Sequence, residues 1–298
     1  MPRAVLLFNP RAGRRRGGRS LAAIGAELGA AYELAALPTR GPDHCRELAR
    51  RAVADRLDAV FALGGDGTLR VIAGVLAGTA VALGPLPGGT TNVVAGALGL
   101  PADPIAAARA LAGGEAREMD VGRCGTSAFL MQVSGGLDAQ VMAHVDPRWK
   151  RRLGKLAVAF AGLREWQRYR FPPFRLEVDG RQTEATGFVV ANLAEYAGSY
   201  AIVPGARADD RQLELLLFRG RRRRDALAFA IALARGRHVL RADVEIARFA
   251  TLRVLAPERL ELQGDGDPFV AAPPLAIALA AERLRVLAPR RAGPDRAA

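Results

Sequence analysis

Short apolar runs alternate with helix-patterned segments from the first residues to about Asp120. Ala4-Val-Leu-Leu-Phe8 is the first run. Asn9-Pro10 stops it, with Gly13 and Gly17-Gly18 close behind. A helical pattern from Ser20 to Ala31 precedes a strand-like Tyr32 to Leu37. Asp43 to Arg56 again mixes apolar and charged positions at helical spacing, with Asp43 as the expected N-cap. Asp58 to Leu63 reads as a strand ending on Gly64-Gly-Asp-Gly-Thr68, and a helical stretch follows through Ala77. The unit recurs as a strand at Ala80 to Leu86, a turn at Pro87-Gly-Gly-Thr-Thr-Asn92 and a helix at Val93 to Leu98. Strand, turn and helix repeated in this order predict right-handed crossovers and a largely parallel sheet.

The texture changes after Val121. Ala128 to Val133, Phe174 to Val178, Gly187 to Ala191 and Gln212 to Phe218 read as strands. So do Thr251 to Leu255, Arg259 to Leu262, Leu275 to Leu279 and Arg283 to Leu287. Gly, Pro and Asp separate many of them without a regular helix between, the pattern of a mainly antiparallel β domain. Helical patterns interrupt at about Lys150 to Tyr169 and Asp225 to Leu233. The expected organisation is an α/β domain over 1–122, a β-rich domain over 123–289 and a frayed tail over 290–298.

The chain has 298 residues, room for two domains of roughly 150 residues each. Hydrophobic residues make up 50% and charged ones 24%, which supports a sizeable core and excludes a wholly disordered or collagen-like chain. No stretch reaches the roughly 18 consecutive apolar residues of a spanning helix, and no secretory signal is expected from the opening residues. Cys45 and Cys124 are too few for a disulfide framework or a zinc site. A cytoplasmic protein is the expectation. Lys and Arg exceed Asp and Glu by 13, and only Lys150 and Lys155 are lysines. That balance favours polyanionic partners: nucleic acid, nucleotide phosphates or an anionic membrane face. Nucleic acid is not expected, because no basic helix carries interleaved aromatics.

Three glycine-bearing turns, Asn9–Gly13, Gly64–Thr68 and Pro87–Asn92, each follow an apolar strand and precede a helix. In an open α/β sheet such turns gather where ligands bind, at the carboxyl ends of the strands. Glycine lets a ligand approach the backbone, and the freed N–H groups with a helix N-terminus cradle phosphate. Thr68, Thr90 and Thr91 offer hydroxyl donors. Neither a Walker A loop nor a dinucleotide GxGxxG pattern follows these strands. Asp66 would repel a nucleotide unless a divalent cation lay between them or it served as a base; the plainer alternative is a tight turn whose Asp caps the next helix.

These three turns, followed by Met119-Asp-Val-Gly122, Gly135-Gly-Leu-Asp-Ala139, Val203-Pro-Gly-Ala-Arg-Ala-Asp-Asp210 and Gly264-Asp-Gly-Asp267, resemble the bacterial diacylglycerol kinase and sphingosine kinase-like lipid kinase family in order along almost the whole chain. The resemblance implies an N-terminal α/β domain with a mainly parallel sheet, a C-terminal mainly antiparallel β-sandwich, and ATP and a lipid substrate meeting in the cleft. It implies that Asn9, Pro10, Arg11, Ala12, Gly13, Thr39, Gly64, Gly65, Asp66, Gly67, Thr68, Leu69, Arg70, Gly89, Thr90 and Asn92 hold ATP. It places Asp66 and Asp120 in an aspartate–water network around catalytic Mg²⁺. It gives a second, structural Mg²⁺ to the Asp209-Asp210 loop, with carbonyls near Arg207 and Gln212. Asp265 and Asp267 match the acidic pair of the final motif; Asp265 is the preferred general base and Asp267 its electrostatic support, with the roles exchangeable. Three positions depart from the family pattern: Val93 where a carboxylate usually follows Asn92, Arg211 at a usual glycine, and Asp267 at a usual glutamate.

The implied activity is transfer of the ATP γ-phosphoryl group to a lipid hydroxyl, of diacylglycerol or a related lipid alcohol. An NAD kinase-like enzyme and a non-catalytic nucleotide- or lipid-binding protein are the alternatives. The lipid would be met at an anionic surface on the inner face of the cell membrane. Two candidate docking elements join basic residues to an apolar helix: Arg219–Arg224 with Ala226–Ala234, and Trp149–Arg152 with Leu153–Trp166. A homodimer is compatible with the sequence, which does not specify it.

Overall fold

The computed structural model describes residues 1–10, 17–146, 149, 155–196 and 200–290. The chain forms two compact units, Met1–Met119 with Glu282–Ala298, and Asp120–Ala281.

The first unit runs β1 (Arg3–Phe8), α1 (Gly17–Gly29), β2 (Glu33–Pro38), α2 (Pro42–Ala54), β3 (Ala59–Gly64) and α3 (Asp66–Leu76). It continues with β4 (Ala82–Pro87), α4 (Val93–Ala97), α5 (Pro104–Ala112) and β5 (Glu115–Met119). Its sheet is ordered β2-β1-β3-β4, then the strand Leu284–Ala288, then β5, and every pair up to that strand is parallel. Successive strand residues point to opposite faces. Leu6 and Leu7 are both fully buried, so both faces of the sheet are covered, as a parallel sheet requires. One core gathers Leu6, Phe61 and Leu86 against Ile24 and Leu28 of α1 and Leu111 of α5.

Two local expectations are corrected here. Asp43 does not cap α2; Gly41 holds the N-cap position and Pro42 opens the helix, leaving Asp43 in the first turn. There it pairs with Arg46 and complements the positive end of the helix dipole. The strand expected at Arg283–Leu287 in the β-rich half instead belongs to the first unit. Leu284–Ala288 pairs antiparallel with β5 over its whole length and parallel with β4 at Val286–Leu83. Its partners lie more than a hundred and fifty residues away in sequence, beyond what local alternation of apolar and polar positions can specify.

The second unit is a β-sandwich. Its strands are β6 (Gly122–Cys124), β7 (Ser127–Phe129), β8 (Gln132–Gly135), β9 (Phe174–Val178), β10 (Arg181–Ala185), β11 (Gly187–Ala191), β12 (Glu195–Tyr196) and β13 (Tyr200–Ala201). They continue as β14 (Glu214–Phe218), β15 (Val244–Arg248), β16 (Leu252–Ala256), β17 (Leu260–Gly264), β18 (Asp267–Ala271) and β19 (Leu275–Leu279). One sheet is ordered β10-β9-β16-β19-β6-β7 and the other β15-β14-β11-β8-β17-β18, both antiparallel throughout. Leu176, Val254 and Ile277 of the first sheet and Val133, Phe188 and Leu215 of the second meet in a single core. The helices α6 (Leu137–His144), α7 (Lys155–Arg168) and α8 (Arg223–Ala234) complete the unit. The strand expected over Ala128–Val133 is divided between β7 and β8 at Leu130-Met131.

Candidate functional site

In the first unit β3 ends at Gly64 and β4 at Pro87, side by side in the sheet. The two turns that follow lie backbone against backbone. Gly88 N–H donates to the Gly64 carbonyl at 3.0 Å. A Cβ on Gly89 would stand 2.6 Å from Gly65 Cα, and one on Gly88 would stand 2.9 Å from the Gly64 nitrogen. Side chains at these positions would force the turns apart. The paired glycines are therefore required by turn-on-turn packing, in addition to any ligand.

Asp66 joins the turns. It is the first residue of α3 and is buried. Its Oδ2 accepts the Thr91 hydroxyl and the Val93 N–H, both at 3.1 Å, and its Oδ1 accepts the Val94 N–H at 3.1 Å. Asp66 thus caps a helix, but α4 rather than the α3 it begins. Asn92, in the left-handed conformation at φ 49, closes the second turn: Oδ1 accepts Gly89 N–H at 2.7 Å and Nδ2 donates to the Gly89 carbonyl at 3.1 Å. Beneath Gly64 stands Thr68, 2.8 Å from where a Cβ would be. Gly67 and Arg70 are half-buried, Leu69 belongs to the core, and Thr90 is exposed. Thr39 is buried against the end of β1, with its N–H on the Phe8 carbonyl at 2.8 Å. Asn9 and Pro10 are exposed just past β1. Arg11, Ala12, Gly13 and the basic run Arg14–Arg16 lie outside the described residues.

In the second unit Asp265-Gly266 forms the tight turn between β17 and β18, with φ of 52 and 83 at the two residues. Asp-Gly is favoured where both central residues must be left-handed. The Asp265 side chain is not displayed to solvent. Its Oδ2 accepts Leu130 N–H at 2.7 Å, and its Oδ1 accepts Met131 N–H at 2.8 Å and Gln132 N–H at 3.0 Å. Leu130 and Met131 form the break between β7 and β8 and Gln132 opens β8, so the carboxylate holds the chain where the expected continuous strand divides. A carboxylate holding three N–H donors is poorly placed to take a proton from an alcohol. Asp267 is half-buried at the start of β18.

Residues outside the expected site set support this turn, among them Asp138 of the Gly135–Ala139 motif. Gln263 Oε1 accepts Gly266 N–H at 2.8 Å, and Gln263 Nε2 donates to Ser134 Oγ at 2.7 Å. Ser134 Oγ in turn donates to Asp138. Burial pushes the Asp138 carboxyl above its ordinary range, opposed by hydrogen bonds from Ser134 and Gln263. Asn192, fully buried, donates to the carbonyls of Asp120 at 2.9 Å and Leu130 at 2.7 Å. Its signal in the sequence is a polar residue directly after the apolar run Phe188–Ala191.

Asp120 is fully buried. Its Oδ2 accepts the Arg211 backbone N–H at 2.7 Å, and Arg211 Nη1 lies 3.3 Å from its Oδ1. Arg207 forms a two-pronged pair with Asp209 at 3.0 and 3.1 Å. Asp210 Oδ1 accepts Gln212 N–H at 3.1 Å. Among the described residues no group of three or more His, Cys, Asp or Glu is arranged to hold a metal ion.

The family model described as Diacylglycerol kinase catalytic domain matches residues 3–124. The model described as YegS C-terminal NAD kinase beta sandwich-like domain matches residues 131–288. The chain belongs to the diacylglycerol kinase and YegS-like lipid kinase family. A Mycobacterium tuberculosis protein named Diacylglycerol kinase is 33% identical over 255 residues, covering 82% of this chain and 81% of that protein. Its Bacillus subtilis namesake is 28% identical over 273 residues, 90% of each chain. The Pseudomonas aeruginosa protein named "Probable lipid kinase YegS-like" is 32% identical over 257 residues, covering 83% of this chain and 82% of that one. A solved structure from Bacillus anthracis shares the fold, with a TM-score of 0.81 at 23% identity over 95% of this chain and 94% of that chain.

The described helices of the two expected docking elements touch in the second unit. Trp166 Nε1 of α7 donates to the Arg223 carbonyl at the start of α8, at 2.8 Å. Leu156, Phe160 and Leu163 of α7, at helical spacing, are 70%, 75% and 56% exposed. Leu227 and Ile231 of α8 are also exposed, and α8 has no buried residue. Arg221 to Arg224 are exposed beside them, as is Trp149. Lys150, Arg151 and Arg152 lie outside the described residues. No described helix is long and apolar enough to cross a membrane.

Proposed function

We propose that this protein transfers the γ-phosphoryl group of ATP to the hydroxyl of a lipid alcohol, diacylglycerol being the first candidate. The observation that carries the reading is the fused pair of glycine turns at the carboxyl ends of β3 and β4, braced by Asp66. Such strand ends are where open α/β sheets bind nucleotides. The exposed Thr90 hydroxyl is suited to a phosphate oxygen. Membership of the lipid kinase family supports the acceptor.

The geometry fits a nucleotide that brings its own Mg²⁺ better than a resident ion. Asp66 already accepts three hydrogen bonds and Asp120 faces Arg211. When bound to the phosphates, the ion neutralises charge that develops as the phosphoryl group moves. This chain's own residues position the nucleotide and accept a proton. An alcohol is a weak nucleophile at neutral pH, so Asp267 takes its proton as the new bond forms, a contribution of about 10²–10⁴-fold. Asp265 holds the Asp267 turn in place through the Leu130–Gln132 amides.

The exposed apolar face of α7 and α8, rimmed by Arg221–Arg224, is the surface on which the enzyme rests at an anionic bilayer to reach its substrate. The test of the reaction is incubation with γ-labelled ATP and a membrane lipid extract or diacylglycerol vesicles. Labelled lipid is the expected product, lost in Asp267→Asn. Label passing to NAD and to no lipid would overturn the proposal.

A further inference from the structure

We infer that Arg211 is a built-in cation that holds Asp120 where a divalent metal ion would otherwise be needed, so that the second unit keeps its fold without a metal. The family resemblance leads one to expect Mg²⁺ at two places near these residues, in the Asp120 network and in the Asp209-Asp210 loop. The residues present do not fit either ion.

Asp120 is fully buried, and a buried carboxylate needs a compensating charge and hydrogen bonds. Arg211 supplies both. Its backbone N–H reaches Oδ2, Nη1 reaches Oδ1, and Nη2 donates to the Ala280 carbonyl at 3.1 Å. The guanidinium is thereby tied at two points and cannot swing away to admit another cation without losing both. Arg211 sits at φ 62, in the left-handed region where a glycine is more comfortable. A strained conformation is retained here by a residue whose side chain makes a specific charged contact.

The rest of the loop repeats the arrangement. Arg207 covers Asp209 with two parallel hydrogen bonds. Arg248 lies between two carboxylates, Nη2 at 3.8 Å from Asp210 Oδ2 and Nε at 3.3 Å from Glu214 Oε1. Gln212 Oε1 is buried without a hydrogen bond. Mg²⁺ is bound through carboxylate oxygens, and each carboxylate here already faces a guanidinium group. One positive charge is already placed against each loop aspartate and against Asp120.

The experiment compares thermal melting in EDTA and in millimolar Mg²⁺, with no nucleotide or lipid present, together with Mn²⁺ binding followed by electron paramagnetic resonance. Wild type is expected to melt within about 1 °C in the two conditions and to bind no Mn²⁺. Arg211→Gly relaxes the backbone but removes the charge; it should melt several degrees lower in EDTA, recover in Mg²⁺ and bind one Mn²⁺. Arg211→Lys, which keeps a charge, should remain indifferent to metal. A wild-type melting temperature that falls in EDTA and returns with Mg²⁺ would overturn the inference, even should Arg211→Gly fail to fold. So would Arg211→Gly melting like wild type, or melting lower without recovery in metal. Because neither substrate is present, this result stands apart from the phosphoryl-transfer assay.

Discussion

Asp66 Oδ1 accepts the backbone N–H of Val94 at 3.1 Å, across 28 positions of sequence. The carboxylate of one glycine turn is the N-terminal cap of the helix that follows the next. The capping alternative raised by the sequence holds for α4 rather than α3, and through it Asp66 shapes the pair of turns proposed to hold the nucleotide.

Replacing Asp66 should therefore harm folding as well as turnover. Asp66→Ala leaves two N–H groups of α4 and the Thr91 hydroxyl without their acceptor, and should lower the unfolding free energy by about 3 kcal/mol. Thr91→Ala removes one of the three bonds and should cost about 1 kcal/mol. Urea denaturation of both variants checks this. An Asp66→Ala protein as stable as wild type would contradict the capping role.

The two glycine pairs should differ sharply from a nearby glycine in open space. Gly89→Ala drives a Cβ to 2.6 Å from Gly65 Cα and should destabilise by about 1–3 kcal/mol. Gly96, inside α4, has nothing within 4 Å of a built Cβ, so Gly96→Ala should be neutral or stabilise by up to about 1 kcal/mol. Midpoints from denaturant unfolding will separate them.

Asp265 and Asp267 should divide stability from turnover. Asp265→Asn weakens the hold on three backbone amides and should destabilise the protein by about 2 kcal/mol. Asp267→Asn should stay within about 1 kcal/mol of wild type while turnover falls by about 100-fold or more. Parallel unfolding and phosphoryl-transfer measurements give the split. The reverse pattern would return the proton-accepting role to Asp265.

Burial raises the Asp138 carboxyl pKa in the folded protein. The folded state then holds this proton at a pH where the unfolded chain has released it. Stability is favoured below the unfolded value and declines as pH rises through the raised folded value. Asp138→Asn cannot ionise, so its stability relative to wild type should improve as pH rises through that window. Denaturation midpoints of both proteins at a series of pH values will show it; a constant difference would rule out a raised pKa.

The exposed face of α7 should be read by lipid. Phe160→Ser with Leu163→Ser should weaken binding to anionic vesicles by at least about tenfold, from the lost burial of two apolar side chains. Replacing Arg223 and Arg224 with Ser should reduce its salt sensitivity. Vesicle co-sedimentation at two ionic strengths measures both. Binding indifferent to either change would remove this face from the membrane.

The sequence by itself determined the succession of strands and helices, the two architectures and the motif residues, because apolar periodicity and glycine-bearing turns are local properties of the chain. Gly64-Gly-Asp-Gly-Thr68 and Pro87–Asn92 announced two turns of one kind. Only the tertiary structure decided that their glycines pack on each other, since that depends on β3 and β4 being neighbours. It also moved Leu284–Ala288 into the first sheet and turned Asp265 inward onto the Leu130–Gln132 amides. It set Arg211 against Asp120, 91 positions away. In each case the deciding contact is between segments far apart in sequence, where a side chain's role is fixed by the donor or charge that folding brings to it.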